Sequence, residues 1–289
     1  MAEISKITVN DTTYDIKDEV ARSTCDILNA KENHNSIFRG KCLNPGSTDQ
    51  ERSQQITEVA NAIQSWDFSD IYIGDYLFGR MTYTLPDGTI DTDYFNLMVA
   101  SINPYLGVGD TALQRPHVAL VSAGGRISNR NAYMNSTNTT EGGYAGSYMH
   151  TTLLPCYETA LRDALNDRLI PHRVMLSTGI GSTLPSMGGL GRTGAANSVA
   201  WSTVYLSLMS EIQVYGTTIF SSSAYDAGSE NKKFQVFNFV PPQGRPQGVD
   251  FWLSSINDSS RFCRCGALGQ AAAANASNAS AVNPYMLFG

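Results

Sequence analysis

Charge is scarce in this chain of 289 residues. Asp, Glu, Lys and Arg make up 16% of it, against about a quarter in ordinary globular domains. The 20 basic and 26 acidic residues leave a net charge of −6. No basic stripe appears, which speaks against a nucleic-acid partner. No apolar run approaches the ~20 residues needed to cross a bilayer. Residues 1–20 carry charges throughout, unlike a secretory signal. Cysteine is also sparse. Cys25, Cys42, Cys156, Cys263 and Cys265 are odd in number and irregular in spacing, a poor disulfide framework. Free thiols, buried or half-buried, are expected. Cys263 and Cys265 stand two apart, so in a strand they point the same way and form no C-x-x-C metal knuckle.

Catalytic and cofactor signatures are missing as well. His34, His117, His150 and His172 fall in no H-x-x-x-H or H-E-x-x-H pattern. There is no G-x-S-x-G elbow and no Walker-type G-K-[ST]. Gly189-Leu190-Gly191-Arg192-Thr193-Gly194 matches G-x-G-x-x-G in form, but it follows Pro185-Ser186-Met187 rather than a strand and opens no helical pattern. Asp67, Asp70 and Asp75 cluster without EF-hand spacing and read as a solvated rim. N-x-[ST] sequons at Asn10, Asn135, Asn138, Asn257, Asn275 and Asn278 are what chance gives in so Asn/Ser/Thr-rich a chain. Neither enzyme activity nor a cofactor or metal is expected.

What is present is a core and a polar, neutral surface. Hydrophobic residues reach 42% and aromatics 10%, enough to bury a core. Ser, Thr, Asn and Gly with interspersed Tyr are the chemistry of adaptable binding surfaces. Residues 3–16 read as a hairpin turning at Asn10-Asp11. Residues 17–33 are polar and helix-compatible, with Val20, Ile27 and Leu28 as thin apolar contacts. They suit a connector or one strand of a helical bundle completed by other copies. A domain boundary is placed at Asn33–Ser36.

Beyond it, Thr48-x-x-Glu51 is a capping box, and Ile56, Val59, Ala60 and Ile63 share one helical face. Ile71 and Ile73 alternate as in a strand. Pro86-Asp87-Gly88 is a turn between strands 81–85 and 89–94. A short strand is expected at His117–Val121 and a long ordered loop over 126–150. A second helix runs from about Leu154 to Leu169, with Tyr157, Leu161, Ala164 and Leu165 on one face. Further strands are expected at 173–177, 204–214, 234–240, 251–254, 261–265 and 285–288, with long loops over 179–197 and 221–232. Early helices followed by many short strands indicate an α+β fold. The stretch from Cys265 to Gly289 has no charged residue, and Gln270–Ala281 is almost only Ala, Asn and Ser. Alone this composition reads as a disordered tail. An apolar terminus, Val282–Phe288, instead suggests a terminal strand that orders the preceding segment as a surface loop.

Two regions resemble a known family. One is 133–160, with Tyr133-Met134-Asn135-Ser136-Thr137-Asn138-Thr139-Thr140, Gly142-Gly143-Tyr144, Gly146-Ser147 and Leu154-Pro155. The other is C-terminal: Leu208–Gly216, Phe251-Trp252-Leu253-Ser254-Ser255, Phe262-Cys263, Gly269, Asn275-Ala276-Ser277 and Val282-Asn283-Pro284. Together they resemble the C-type-lectin-like domain of the formylglycine-generating-enzyme type. Many such domains are variable proteins of diversity-generating retroelements, including phage tropism determinants. The resemblance covers roughly 36–289. The opening Ile7–Asn10 and Thr13–Asp18 separately resembles the start of phage tail and baseplate proteins.

The resemblance implies a C-type-lectin-like fold with two helices, short antiparallel strands and long loops, behind an attachment and oligomerisation segment at 1–35. It implies a ligand-binding domain at 36–289 whose variable region lies at about 250–289. Error-prone copying of template adenines would randomise Asn codons, which never yields Lys, Glu, Gln, Met or Trp. From Ile256 to Ala281 only Gln270 belongs to that set, where average usage would give about a fifth. Framework roles are assigned to Trp252, Leu253, Phe262, Gly269, Ala276, Val282 and Pro284. The displayed, ligand-binding set is Ile256, Asn257, Asp258, Ser260, Arg261, Arg264, Gln270, Ala272, Asn275, Ser277, Asn278 and Ser280.

The expected function is that of a phage receptor-binding protein in the virion tail. It would bind a host cell-surface protein or glycan, contact tail or baseplate proteins, and assemble as a homotrimer, because weak single sites gain from multivalency. A bacterial surface-displayed or secreted adhesin of the same fold is the alternative. A formylglycine-generating-type oxidase using Cys263 or Cys265 is a remote third. Ile256-Asn257-Asp258 only echoes the W-N-D calcium motif of sugar-binding lectins and lacks its Trp, so calcium-dependent sugar binding is not expected.

Overall fold

The computed structural model describes residues 6–9, 12–15, 34–180, 196–221, 233–242 and 248–289. The expected helical connector at 17–33 and the 189–194 glycine motif lie outside them. The first two strands, β1 (Lys6–Val9) and β2 (Thr12–Asp15), form the expected hairpin, with Val9 opposite Thr12. The domain that follows has mixed α and β structure with antiparallel sheets.

Residues 34–44 are fastened to it. His34 Nδ1 lies 2.9 Å from the Ile71 carbonyl oxygen, and Arg39 reaches the buried Asp75 carboxylate. Helix α1 (Asp49–Gln64) begins at the capping box. Thr48 accepts from the Glu51 N–H at 3.1 Å, and Glu51 accepts from the Thr48 N–H at 3.1 Å. Its Ile56, Ala60 and Ile63 are buried. Ile71 and Ile73 are buried too, but only Ile73 makes a bridge, to Phe38, so the alternation there marks a packed turn rather than a strand.

Strands β3 (Tyr76–Thr84) and β4 (Ile90–Ile102) flank the turn at 86–88 in continuous register, and Gly88 takes the left-handed φ of 84° that closes it. β5 (Val118–Ser122) is buried throughout. The stretch that follows is ordered as expected and contributes a short strand, β6 (Asn131–Ala132).

A π-helical turn at Met149–Leu153 leads into α2 (Leu154–Ala164). This helix stops earlier than its apolar spacing suggested. Asn166 and Asp167 adopt left-handed φ of 54° and 55°, and the Asn166 side chain is tied to Ser53 and Thr57 of α1. β7 (Leu169–Ile170) and the hairpin of β8 (His172–Ile180) with β9 (Ala196–Val204) follow.

The strand expected over 204–214 is instead β10 (Leu206–Leu208) and a short helix α3 (Glu211–Tyr215). A second capping box, Ser210 with Gln213, starts this helix, and Gly216 at φ 86° ends it. The strand expected at 234–240 is a 3-10 turn at Gln235–Asn238. Next come β11 (Phe251–Ile256), β12 (Arg261–Cys265), β13 (Ala271–Asn275), β14 (Ser280–Ala281) and β15 (Pro284–Phe288). The Ala/Asn/Ser segment is thus a pair of strands rather than a plain loop.

The larger sheet runs β10-β15-β5-β4-β3, and β7 extends it alongside β15. The chain's last strand therefore lies inside this sheet. β15 pairs with β5 on one side, Met286 opposite Leu120, and with β10 and β7 on the other, Met286 opposite Leu206 and Leu287 opposite Ile170. The two longer helices, α1 and α2, pack on β3. The smaller sheet runs β13-β12-β11-β14-β6, with β11 and β14 parallel. Trp252 joins its far strands by donating from Nε1 to the Ala132 carbonyl at 2.7 Å.

A buried hydrogen-bond chain locks β15 in place. Gln213 Nε2 donates to the Tyr105 hydroxyl at 2.7 Å, and Tyr105 donates to the Tyr285 hydroxyl at 2.6 Å. His172 Nε2 lies 3.2 Å from Tyr285, and its Nδ1 lies 3.3 Å from the Ile170 carbonyl. One assignment satisfies every member: a neutral His172 protonated on Nδ1, with Nε2 accepting from Tyr285. Burial lowers the His172 pKa to about 3.

Two outcomes are expected. Leu287→Ala, in a fully buried strand, should lower unfolding stability in urea by about 2–5 kcal/mol. A loss below about 0.5 kcal/mol would mean that the terminus is not held. The unfolded state takes up the His172 proton near pH 6.5, whereas the folded state resists it to about pH 3. Stability is therefore complete above pH 6.5 and falls between there and pH 3, by up to about 1.4 kcal/mol per unit. His172→Phe should flatten that acid limb in denaturation curves taken across this window.

Candidate functional site

The turns joining β11 to β12 and β13 to β14 emerge at the same end of the smaller sheet, because β12 and β13 pair with Arg261 opposite Asn275. The first turn is built by Asp258. Its Oδ1 accepts from the Ser260 N–H at 2.9 Å, the Ser260 hydroxyl at 3.0 Å and the Arg261 N–H at 3.0 Å, while Oδ2 accepts from Arg261 Nε at 2.6 Å. An acid accepting from the backbone two and three residues ahead is a self-closing turn. Burial pushes the Asp258 carboxyl up, but the hydrogen bonds from Arg261 and Ser260 outweigh it and leave the group below its ordinary range.

Two loops from elsewhere in the chain clamp these turns. Thr140 donates from its hydroxyl to the Asp258 carbonyl at 2.7 Å and from its N–H to the Ser259 carbonyl at 3.1 Å. Asn138 Oδ1 accepts from the Ser277 hydroxyl at 2.5 Å, and the Ala276 carbonyl accepts from the Met134 and Asn135 amides. On the opposite flank Asn257 Nδ2 donates to the Phe220 carbonyl at 3.0 Å. The loop carrying Asn138 and Thr140 is fixed in turn by Gly143. At φ 67° this glycine lies so close to the Ser177 backbone that a Cβ would collide with it.

The twelve residues expected to form one displayed set divide. Arg261, Asn275, Ser277 and Asn278 are exposed and Asn257, Asp258 and Ser260 half-buried, all at this end. Gln270 is exposed at the opposite end of β13, where its side chain accepts from the Leu268 N–H at 3.1 Å. Arg264 and Ala272 are half-buried partners across β12 and β13. Side chains alternate along a strand, so Arg264 and Ala272 lie on the face opposite Arg261 and Asn275. Arg264 is bound to Asp250 at 2.7 Å.

Two assignments are corrected. Ile256 is fully buried, opposite Phe262, and Ser280 is buried where β14 meets β6. Both are framework positions. Of the framework residues expected from sequence, Trp252, Leu253, Phe262, Ala276, Val282 and Pro284 are buried, and Gly269 takes a left-handed φ of 83° in the β12–β13 turn. Sequence reasoning did not find the clamps Asn138, Thr140 and Phe220. Asn138 and Thr140 are camouflaged in an Asn/Ser/Thr-rich loop. The Ile219-Phe220 pair, apolar among Thr and Ser, is the only visible sign of the other clamp.

Cys263 and Cys265 are buried, and burial pushes the Cys265 thiol up to about 11. A nucleophilic cysteine needs its thiolate near neutral pH, the opposite tendency. Among the described residues no group of His, Cys, Asp and Glu could hold a metal ion, and no helix is long and apolar enough to cross a membrane.

The register also sets which edge amides are free. The Ala276 N–H donates to the Ser260 carbonyl and the Gly266 N–H to the Gln270 carbonyl. Counting along the ladder, Ala272 and Ala274 then bond to β12, while the Ala273 N–H faces away from it. Ala273→Pro should leave the thermal midpoint nearly unchanged, and Ala272→Pro should lower it clearly. Equal tolerance of both prolines would show that this segment is not a paired strand. Compared with models of protein families, with curated proteins and with solved structures, the chain matches none.

Proposed function

We propose that this is a receptor-binding protein of a phage tail, a C-type-lectin-like domain that grips a ligand on the host cell surface with the turns at 257–261 and 275–278. One observation carries the reading. An uncharged, low-complexity segment, 265–281, that composition alone would leave disordered is built as strands, and its exposed tip at 275–278 is grouped with the clamped turn at 257–261. Pre-organised neutral polar groups bind without a large ordering cost. A fixed framework beneath them lets individual tip residues change without disturbing the core.

Several features support the finer parts of this proposal. Two longer helices lie against a sheet of antiparallel strands, a combination compatible with the lectin-like resemblance. The depletion of Lys, Glu, Met and Trp over 256–281 fits adenine-directed diversification. The buried, protonated Cys265 favours binding over oxidase chemistry. The hairpin of β1 and β2 precedes the domain and suits attachment to the tail or to further copies in a homotrimer.

The test is adhesion of the purified protein to a panel of bacterial strains. Joint replacement of Arg261, Asn275, Ser277 and Asn278 by alanine should abolish adhesion to whichever strain the parent binds, with the melting temperature preserved. Gln270→Ala, at the far end of the strand, should leave it intact. Undiminished adhesion of the quadruple variant would remove this end of the sheet as the binding face. A template repeat and a reverse transcriptase beside the gene are expected if the positions are diversified.

A further inference from the structure

A strand at the end of a sheet leaves half of its backbone polar groups without a ladder partner, and proteins ordinarily shorten, cover or charge such edges. Most edges of the two main sheets follow that rule. β6 and β7 span two residues each. β10 spans three, and the Tyr144 hydroxyl accepts from its Leu208 N–H at 2.8 Å. β3 is long, but Tyr76 donates to the Lys41 carbonyl at 2.9 Å and accepts from the Leu43 N–H at 2.8 Å. The Asn44 side chain then copies a peptide group on the next rung. It accepts from the Phe78 N–H at 2.8 Å and donates to the Phe78 carbonyl at 2.7 Å. Beyond that rung the edge carries the charge of Arg80.

β13 has none of these protections. It runs for five residues, Ala271–Asn275, in unbroken register with β12, and it contains no proline and no charge. The bonds from the Ala276 N–H to Ser260 and from the Gly266 N–H to Gln270 fix its alternation. The N–H and C=O of Ala271 and Ala273 and the N–H of Asn275 therefore point away from β12. The Asn275 carbonyl is taken by the Asn278 N–H at 2.9 Å. Among the described residues the other five groups have no hydrogen-bond partner. The alanine side chains are half-buried and too small to screen the main chain beside them.

Such a row specifies its partner. Donor and acceptor of one residue stand side by side, and the next pair follows two residues on, about 6.8 Å away. A sugar hydroxyl can meet one of these groups. Only another extended main chain meets the series at its own spacing. A second copy of β13 has that spacing, but alanine opposite alanine adds little to the ladder. A foreign strand brings larger side chains, and the row ends at Asn275, inside the exposed tip at 275–278.

We propose that the open edge of β13 receives an extended segment of a polypeptide ligand, which joins the five-stranded smaller sheet as a sixth strand. This rests on the receptor-binding reading and narrows it to protein ligands. It also divides the labour. Main-chain groups are the same whatever residues occupy 271–275, so the ladder is a constant source of affinity. The tip side chains supply discrimination and can change without loss of the ladder.

A random linear peptide library panned against the intact protein tests this. Enriched peptides should bind Ala273→Pro about tenfold or more weakly, because proline removes the central outward donor, while the melting temperature stays near that of the parent. Bound peptide should slow hydrogen exchange at the Ala271 and Ala273 amides. N-methylation of alternate peptide residues should abolish binding in one phase and spare it in the other, as an added strand requires. That measurement decides alone if Ala273→Pro does not fold. Peptides that bind Ala273→Pro like the parent and tolerate N-methylation in both phases overturn the added strand. If such peptides still lose binding with the Arg261, Asn275, Ser277 and Asn278 alanines, the face stands; if they do not, both fall. A library with no enriched peptide overturns the polypeptide ligand. Concentration-dependent dimers that Ala273→Pro abolishes and peptides fail to disperse would overturn it too, giving the edge to a second copy.

Discussion

The placement of the C-terminal strand is the constraint on which the rest of the molecule depends. Residues 281–289 are all buried, and β15 is paired on both edges. A strand inside a sheet cannot fray without breaking two ladders, so the chain end is held as firmly as the middle. The hydrogen-bond chain from Gln213 through Tyr105 and Tyr285 to His172 ties that strand to α3 and to β8. Once residues 284–288 are fixed, the segment between Cys265 and Val282 has two anchored ends and a bounded length. Its backbone groups then find partners in β12, and the Ala-rich stretch becomes β13 although alanine has little strand preference.

This explains how a poor sequence makes an ordered surface. Tertiary pairing overrides local propensity where the neighbouring strand is already in place. β12 supplies Phe262 and Cys263 to the interior and a ladder to the outside. β13 needs only to be small and neutral to lie along it. Small side chains leave the sheet edge open, and all larger features of the face come from its ends. The clamps at Thr140 and Phe220 bond to main-chain carbonyls or to Asn257, and Asn138 holds the Ser277 hydroxyl. Several of these links would survive substitution of the tip side chains, because the backbone is what they hold.

The framework was legible in the sequence where the signal was a periodicity or a cap. The Thr48 capping box, the turn at 86–88 and the strands at 251–254, 261–265 and 285–288 follow from residue spacing and type, while Trp252, Phe262 and Val282, given framework roles with the lectin-like resemblance, are buried. The failures also have physical causes. The run 204–214 is apolar enough for a strand, but Ser210 with Gln213 caps a helix, and that local bonding wins. At 234–240 the apolar residues pack through a 3-10 turn. β13 was invisible because its strand character belongs to β12. The single displayed face was a counting error of parity. Residues 261 and 264 are three apart on one strand and cannot point the same way, which the spacing alone could have shown. Ile256 and Ser280 were misassigned because burial at a strand end is decided by the neighbouring sheet, not by residue type.

Charge scarcity connects these points. A carboxylate or ammonium at a tip would need a partner, and each partner would fix the identity of a second position. Two charge pairs near the face are closed locally: Asp258 with Arg261 three residues away, and Arg264 with Asp250. Glu211 differs: among the described residues its carboxylate is closed by backbone amides. Because amides are present whatever the side chain, this arrangement fixes the shape of the 219–221 turn without dictating its residues.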